Sequence, residues 1–216
     1  MSRLVIYDNK LLFDKEISCK LSHEIGRGSE GICYEHGDKA YKVLFSRDDM
    51  VCDVLDYMVH PDKIITTEVI DLPSFAFPKK LYVTKDWLLG YKAKLIKNNL
   101  FKEEIFHTIE DLKGIDFNAL AMAYKKMLSD VDVLSEEKVK IYDLTFNLIF
   151  DGTNLTGIDT CGYERVKEDI KRYNRDCLAT SVDFLFCTAS DYELQTCIMN
   201  DDIESYLEEV DKQLRI

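Results

Sequence analysis

The chain has 216 residues, of which 46% are apolar and 31% charged, with only nine glycines and three prolines. This composition is typical of a globular protein and excludes a collagenous, low-complexity or mostly disordered chain. The 28 basic and 40 acidic residues give a formal net charge of −12, which argues against nucleic acid and anionic membrane surfaces as partners.

Short β-strands are predicted over the first 45 residues, separated by glycine-containing turns. The predicted runs are Arg3–Tyr7, Lys10–Phe13, Lys20–Ile25, Gly31–Glu35 and Lys39–Phe45. The tetrapeptide from His36 to Lys39 contains Gly37 and predicts a hairpin turn between the last two strands.

A helix is predicted next, because apolar residues recur at helical spacing from Ser46 to about Asp71, interrupted by Pro61. Two further strands are predicted over Leu81–Thr84 and Trp87–Ile96. We therefore expect residues 1–97 to form an antiparallel sheet with one inserted helix.

Residues 98–216 are predicted to be mainly helical. The exception is a pair of short β segments, Leu148–Phe150 and Leu155–Ile158, separated by a turn at 151–154. The last 26 residues carry eight acidic and two basic side chains and predict a solvated helix. Its inward face is expected to include Tyr206, Leu207, Val210 and Leu214. The expected fold class is α+β.

Compartment signals favour a cytoplasmic location. No apolar run approaches the roughly 18 residues that would span a bilayer, and charge interrupts the first ten positions too early for a secretory signal. The seven cysteines are scattered and form no CxxC pair. They predict reduced thiols rather than a zinc site or a disulfide framework.

Gly26, Gly28 and Gly31 form a GxGxxG motif. A dinucleotide-binding Rossmann unit requires a helix after these glycines, whereas a strand, a turn and another strand are predicted here. A Walker loop would end in Gly-Lys-Ser/Thr, which this segment lacks. A glycine-rich loop between antiparallel strands instead allows backbone amides to approach nucleotide phosphates. A simple turn is the alternative interpretation.

Two further polar groups fit a nucleotide site. Lys42 lies in the predicted strand AYKVL, eleven residues after Gly31, where its side chain is placed to reach the phosphates. An outward-facing strand lysine is the alternative. About a hundred residues later, Asp143, Asn147 and Asp159 surround the predicted hairpin. Asn147 and Asp159 offer oxygen ligands that suit Mg²⁺, and Asp143 is placed to orient or deprotonate an attacking hydroxyl.

The order and spacing of these motifs resemble the protein-kinase-like fold, the superfamily of protein kinases and of small-molecule kinases that phosphorylate aminoglycosides and choline. The resemblance covers about residues 20–160. It implies a bilobal fold, with a β-rich N-lobe over 1–97 and a reduced, mainly helical C-lobe over 98–216. ATP and Mg²⁺ would bind between the lobes, with the glycine motif and Lys42 on the phosphates.

The resemblance also implies roles for later residues. Asp143, in a catalytic loop over 141–147, would orient the acceptor, while Asn147 and the Asp159 of a motif over 159–161 would hold the metal. The segment GYKAKLI resembles the strand that enters the hinge near 94–100. This places Ala93 at the gatekeeper position and the backbone from Lys94 to Ile96 against adenine.

Several features depart from the kinase pattern. Ile141 and Tyr142 replace the usual His-Arg pair, and Thr160-Cys161 follows Asp159 without the usual aromatic residue. Asn147 follows Asp143 by four residues rather than five, a shortening that could rotate Asn147 away from the metal. The acid that pairs with Lys42 is not decided by the sequence. Its candidates are Asp53, Asp56, Asp62 and Glu68.

The segment after Asp159 is short, with 57 residues and no APE motif. Asp183 resembles the buried acid that braces the catalytic loop in kinases, and a helix cap or exposed acid is the alternative. A basic cluster, defined by Arg165, Lys167, Lys171, Arg172 and Arg175, either draws in an acidic substrate or forms a salt-bridged helix surface with Glu164, Glu168 and Asp169.

Two classes of function therefore remain open from the sequence. The first is a phosphotransferase that uses ATP to phosphorylate a hydroxyl of a protein or a small molecule. The second is a pseudokinase that binds nucleotide or a protein partner without transferring phosphate. Transfer of AMP by the same pocket is a third possibility.

Overall fold

The structure is a computed structural model that describes residues 4–18, 21, 23–45, 61–85, 87–101, 112, 114–186, 198, 200 and 202–214. The chain divides into two compact units, which are described separately below. The first comprises Met1–Leu72, Ala76–Leu95 and Asp159–Glu164. The second comprises Pro73–Phe75, Ile96–Ile158 and Arg165–Ile216. The mixture of helices and sheets confirms the α+β class.

A six-stranded sheet forms most of the first unit. Its strands are β1 (Leu4–Ile6), β2 (His23–Arg27), β3 (Gly31–His36), β4 (Lys39–Leu44), β5 (Lys80–Val83) and β6 (Leu88–Lys94), in the spatial order β1-β5-β6-β4-β3-β2. β1 pairs with β5 in parallel, whereas the other pairs are antiparallel. The prediction of a purely antiparallel sheet is therefore wrong. The long connection between β1 and β5 allows the parallel pairing.

The strand predicted over Lys10–Phe13 is wrong, because helix α1 spans Lys10–Ser18. The Asn9 side chain accepts a hydrogen bond from the Leu12 amide at 3.1 Å, which caps the first turn. Phe13, Ile17 and Leu21 recur every four residues and are buried, as on one face of a helix.

The helix predicted over Ser46–Asp71 is only partly testable, since residues 46–60 lie outside the described residues. Pro61–Lys63 forms a short 3-10 turn, and no α-helix continues through 64–71. The Thr66 carbonyl instead accepts hydrogen bonds from the amides of Val69 and Ile70, which closes a turn. The second half of that prediction is therefore wrong.

The two faces of the sheet are buried by different segments of the first unit. On one face, α1 places Phe13 and Ile17 against Tyr82 and Leu89. The other face is covered by a cluster that includes Ile64, Leu81, Val83, Tyr91 and Ala93. Burying a side chain of this size contributes roughly 1.5–3 kcal/mol. Both faces are therefore packed, and the second one carries the polar group described below.

The described part of the second unit contains three helices: α2 (Phe117–Glu136), α3 (Lys171–Leu185) and α4 (Ile203–Leu214). Asp116 caps α2 by accepting hydrogen bonds from the amides of Asn118 and Ala119. The short strands are β7 (Val139–Lys140), β8 (Leu148–Phe150), β9 (Leu155–Gly157) and β10 (Glu164–Arg165), the last beginning at the boundary of the units. The core contains the packed rings of Phe101, Phe117, Phe150, Phe186 and Tyr206.

Several local predictions are confirmed. Gly37 has a φ of 64° in the turn that joins β3 and β4. β8 and β9 form the expected hairpin, whose turn is closed by the Asp151 side chain on the amides of Thr153 and Asn154. In α4, Tyr206, Leu207 and Val210 are buried, whereas the side chain of Leu214 lies outside the described residues.

The helices that the structure describes include none with both the length and the apolar character needed to cross a membrane.

Candidate functional site

Lys42 lies in a row of side chains that crosses the sheet of the first unit. In the strand register, Lys42 of β4 is opposite Cys33 of β3 on one side and Tyr91 of β6 on the other. Directly opposite residues in a sheet project from the same face. The sequence thus places the lysine, a thiol and a phenol side by side on the face that also carries Ala93.

The Lys42 ammonium group is buried between two carboxylates. The residue is 7% exposed, and its Nζ donates to Glu30 Oε2 at 2.9 Å and to Asp159 Oδ2. Glu30 belongs to the glycine motif, and Asp159 lies 117 residues after Lys42. The strand lysine and the distant acid named from the sequence are therefore brought together within the first unit.

Asp159 receives hydrogen bonds on both carboxylate oxygens. Lys42 donates to Oδ2, while the Tyr91 hydroxyl donates to Oδ1 at 2.6 Å and the Cys161 thiol lies 3.5 Å from the same oxygen. The backbone of Asp159 is left-handed, with φ 54° and ψ 46°. A non-glycine residue in this region is uncommon, and such conformations cluster at functional sites.

The charges of this group are mutually stabilised. Burial alone would lower the pKa of Lys42, but the Asp159 carboxylate and, to a smaller extent, Glu30 raise it above its ordinary value. Burial alone would raise the pKa of Asp159, but the charge and hydrogen bond of Lys42 and the Tyr91 hydroxyl hold it below its ordinary value. Lys42 therefore stays a cation and Asp159 an anion near neutral pH.

The three glycines of the GxGxxG motif differ in what their surroundings require. An added Cβ at Gly31 would lie 2.3 Å from the Val43 carbonyl oxygen, so the close approach of β3 and β4 itself requires glycine there. At Gly26 and Gly28 an added Cβ would meet no atom of the described residues within 4 Å. Packing among the described residues therefore explains the glycine at position 31 only. Beside Gly26 and Gly28 there is open space, in which a phosphate could approach the backbone.

The residues predicted to contact adenine lie at the end of β6. Ala93 is 4% exposed and packs in the cluster with Ile64, Leu81 and Tyr91. Lys94 is exposed at the last position of the strand, and Ile96 is half-buried at the start of a segment of the second unit. Ala93 therefore shares the sheet face of Lys42, whereas the adenine contacts themselves remain a prediction.

The predicted catalytic loop belongs to the second unit. Asp143 is exposed and has a φ of 49°. The side-chain amide nitrogen of Asn147, Nδ2, donates to the Asp143 backbone carbonyl at 2.7 Å. The same nitrogen lies 3.4 Å from Asp143 Oδ2. The carbonyl of Asn147 accepts the Ile158 amide at 2.7 Å. In the shortened loop, Asn147 thus helps to hold the backbone of Asp143.

A buried amide braces this loop from α3. Asn174 is fully buried, and its Oδ1 accepts the Ile141 amide at 3.0 Å. Its Nδ2 donates to the Val139 carbonyl and to the Ser135 hydroxyl, each at 2.9 Å. Asp183, the brace suggested by the kinase resemblance, is buried near the end of α3 and accepts a hydrogen bond from the Tyr206 hydroxyl at 2.9 Å. Asn174 therefore makes a direct hydrogen bond to the backbone at the start of the loop.

Four members of the basic cluster form ion pairs within the second unit. The pairs are Arg165–Glu137, Lys171–Asp132, Arg172–Asp176 and Arg175–Asp132. This supports the interpretation of a salt-bridged surface, and the acids in these four pairs are Glu137, Asp132 and Asp176. Lys167 is exposed.

The donor set fits Mg²⁺ bound together with a nucleotide. Among the described residues no group of three or more His, Cys, Asp or Glu side chains is arranged to hold a metal. Mg²⁺ is usually held by one or two carboxylates together with substrate phosphates. Asp159 can supply such a carboxylate, because each of its oxygens has a second lone pair. Asn147 is the second predicted ligand, with an amide oxygen.

Three residues of these sites were missed from the sequence. Among the described residues, Lys42 pairs with Glu30 as well as with Asp159, whereas the candidates Asp53 and Asp56 lie outside the described residues. Tyr91 and Asn174 were not singled out. The signal for Tyr91 was its place in a strand, two residues before Ala93. The signal for Asn174 was a lone amide between the apolar residues Ile170, just before α3, and Leu178, four positions away on either side.

Comparison with known proteins gives limited similarity. No protein-family model matches this sequence, and no curated protein matches it. Among solved structures, the chain is similar to the BubR1 kinase domain, with 16% sequence identity and a TM-score of 0.42. The match covers 67% of this chain and 46% of that one, so this chain spans less than half the length of that kinase domain.

Proposed function

We propose that this chain is a kinase-like phosphotransferase that transfers the γ-phosphoryl group of ATP to a hydroxyl of a protein or a small molecule. The observation that carries the proposal is the ion pair between Lys42 and Asp159. A buried cation beside a carboxylate, next to a glycine-rich hairpin, is the arrangement expected of a site for phosphate and Mg²⁺.

Each side chain has a distinct role in this proposal. The backbone at Gly26 and Gly28 lies against the phosphates, and Lys42 neutralises part of their charge. Asp159 and Asn147 are the ligands of Mg²⁺, which when bound would neutralise charge on the phosphate oxygens. Asp143 orients the acceptor hydroxyl and accepts its proton. Catalysis by positioning and electrostatic stabilisation needs no covalent intermediate on the protein.

The adenine ring is assigned to the end of β6. Ala93 supplies a small buried side chain, and the backbone from Lys94 to Ile96 supplies hydrogen-bonding groups. The kinase-like fold and the cytoplasmic location are parts of the same proposal.

A pseudokinase is the second candidate, and two observations favour it. Glu30 pairs with Lys42 where a phosphate is proposed to bind, and the Asn147 side chain donates to the Asp143 carbonyl. A protein with these features could bind nucleotide weakly, or only a partner, without transferring phosphate.

Ligand-induced stabilisation and label transfer together separate these functions. The midpoint of thermal unfolding is measured with and without ATP and Mg²⁺ for the wild type and for Lys42→Ala and Asp159→Ala. At a hundredfold excess over Kd, binding should stabilise the wild type by about 2.7 kcal/mol. Both variants should lose this gain.

Transfer is then followed with ATP labelled in the γ-phosphoryl group. Label transfer that Asp143→Asn abolishes would support the phosphotransferase. A thermal shift without label transfer would support the pseudokinase. The absence of any shift in the wild type would refute nucleotide binding and leave a protein-interaction module.

A further inference from the structure

The Tyr91 hydroxyl and the Lys42 ammonium group hold opposite oxygens of one carboxylate. Tyr91 donates to Asp159 Oδ1 at 2.6 Å, and Lys42 donates to Asp159 Oδ2. Because Lys42 and Tyr91 are paired across β4 and β6, the two donors are set by the backbone register of the sheet. Their spacing is therefore fixed by the most regular part of the first unit.

The hydroxyl group of Tyr91 is not needed to fill the core. Tyr91 is 6% exposed, and its ring packs in an apolar cluster with Ile64, Leu81 and Ala93. A phenylalanine ring would occupy the same space. What the hydroxyl adds is a hydrogen bond to a charged acceptor, which is shorter and stronger than one between neutral groups.

The two shortest hydrogen bonds to the Asp159 carboxylate come from side chains of the sheet, and its own turn adds the longer Cys161 contact. Asp159 precedes the short 3-10 turn Thr160–Gly162, but its side chain makes no capping hydrogen bond with the backbone of that turn. Its backbone is in the left-handed region, where few non-glycine residues are found. The local backbone therefore leaves the orientation of the carboxylate to Lys42 and Tyr91, with the Cys161 thiol as a weaker third contact.

We propose that Tyr91 is a positioning residue that fixes the Asp159 carboxylate for binding of a nucleotide with Mg²⁺. This inference rests on the proposed function. Lys42 alone would hold one oxygen and leave the carboxylate free to turn about its Cβ–Cγ bond. With Tyr91 in place, both oxygens have fixed directions, and their remaining lone pairs point in fixed directions as well. A preorganised ligand loses less entropy when it binds its cation.

The test compares ATP binding with Mg²⁺ and ATP binding in excess chelator, measured by calorimetry for the wild type and Tyr91→Phe. The dissociation constant in chelator, divided by the dissociation constant with Mg²⁺, measures the part of the affinity that depends on the metal. Loss of one hydrogen bond to a charged group should reduce this ratio about tenfold, while the metal-free dissociation constant changes less than about twofold.

Tyr82→Phe is the matched control, because Tyr82 is another buried tyrosine of the same sheet and packs on the face covered by α1. It should leave the ratio unchanged. A general loosening of the sheet would instead change the ratio in both variants, or would weaken metal-free binding as much as metal-dependent binding. Either result would overturn the role of Tyr91.

A double-mutant cycle links the effect to Asp159. In the Asp159→Asn background, Tyr91→Phe should cause no further change in the ratio, because the carboxylate that it positions is gone. Wild-type binding that depends on Mg²⁺ but is unaffected by Tyr91→Phe would refute the inference and leave the proposed function intact. A wild type that binds no ATP under either condition would refute both.

The hydrogen bond itself is testable without any ligand. In the ligand-free protein, the ¹³C resonance of the Asp159 carboxyl group should move in Tyr91→Phe and stay in place in Tyr82→Phe. An unchanged resonance in Tyr91→Phe would contradict the contact on which the inference is built.

Discussion

Lys42 in the first unit and Asp143 in the second are the two side chains on which the proposed transfer most depends, and they are held in opposite ways. Lys42 is almost fully buried and is paired with two carboxylates. Asp143 is exposed, and the Asn147 side-chain nitrogen donates a hydrogen bond to its backbone carbonyl. Replacing the buried Lys42 should therefore change both function and stability. Replacing the exposed Asp143 should change function with little effect on stability.

The most firmly held groups near the 141–147 loop are the buried polar groups around Asn174, not the Asp143 side chain. Asn174 satisfies the Ile141 amide, the Val139 carbonyl and the Ser135 hydroxyl, all in the second unit. Such a cluster is costly to disturb, since each group loses its partner in a place without water. Four substitutions therefore test the comparison, ordered by their expected effect on the free energy of unfolding.

Lys42→Met is expected to have the largest effect. Methionine fills a similar volume but leaves the Asp159 carboxylate without its cation, which should lower the free energy of unfolding by about 3 kcal/mol. Urea denaturation measures this change. Lys80→Met, at a half-buried lysine of β5 in the same sheet, is the control and should cost less than about 0.5 kcal/mol. Equal stability of the two variants would show that the Lys42 pairs contribute no net stability.

Asn174→Ala is expected to cost about 2 kcal/mol, because it leaves buried donors and acceptors without partners. The control is Arg172→Ala on the same helix, where an exposed ion pair with Asp176 is lost. That change should cost less than about 1 kcal/mol. If the two variants unfold at the same urea concentration, the Asn174 hydrogen bonds beside the 141–147 loop do not have the stabilising role assigned to them.

The sequence predicted the elements whose signals are local. The β3–β4 hairpin follows from a glycine between two strand-forming runs, and α4 follows from apolar residues at helical spacing. The strand that carries Lys42 was found in the same way. Such patterns need only the near neighbours of a residue, so they can be read before the fold is known.

The missed features depend on partners far away in the chain. The Lys10–Phe13 run fits a strand by its own pattern, and its helix is recognised only with Asn9 before it and Ile17 after it. The parallel pairing of β1 with β5 joins residues more than seventy positions apart. Tyr91 likewise has a role only because the register places it opposite Lys42. These contacts become visible when the sheet order is known.

Glu30→Gln distinguishes the contribution of the Lys42–Glu30 pair from that of the Lys42–Asp159 pair. The Glu30 side chain is 36% exposed, and Lys42 keeps its contact with Asp159 when Glu30 is neutralised. The free energy of unfolding should therefore fall by less than about 1 kcal/mol.

The same change should strengthen ATP binding by about three- to tenfold, because a negative charge no longer competes with the phosphates for Lys42. Calorimetry on Glu30→Gln and on the control Glu24→Gln, which breaks the exposed pair with Arg27, measures this difference. Weaker binding by Glu30→Gln alone would show that Glu30 helps to hold the nucleotide instead of competing with it.

Asp143→Asn is expected to have the smallest effect on stability and a large effect on transfer. Asparagine has nearly the same shape, tolerates the left-handed backbone seen at φ 49°, and leaves the backbone carbonyl that accepts the Asn147 amide unchanged. The free energy of unfolding should change by less than about 0.5 kcal/mol, and ATP binding should stay within about twofold. Transfer of the labelled phosphoryl group should fall by a factor of about 10² to 10⁴, the usual contribution of a general base. A matched loss of stability and transfer would show that Asp143, like Lys42, is part of the folded core rather than a separable general base. Unchanged transfer in a stable variant would instead show that another residue accepts the proton. The 141–147 loop would then not have the role of a kinase catalytic loop.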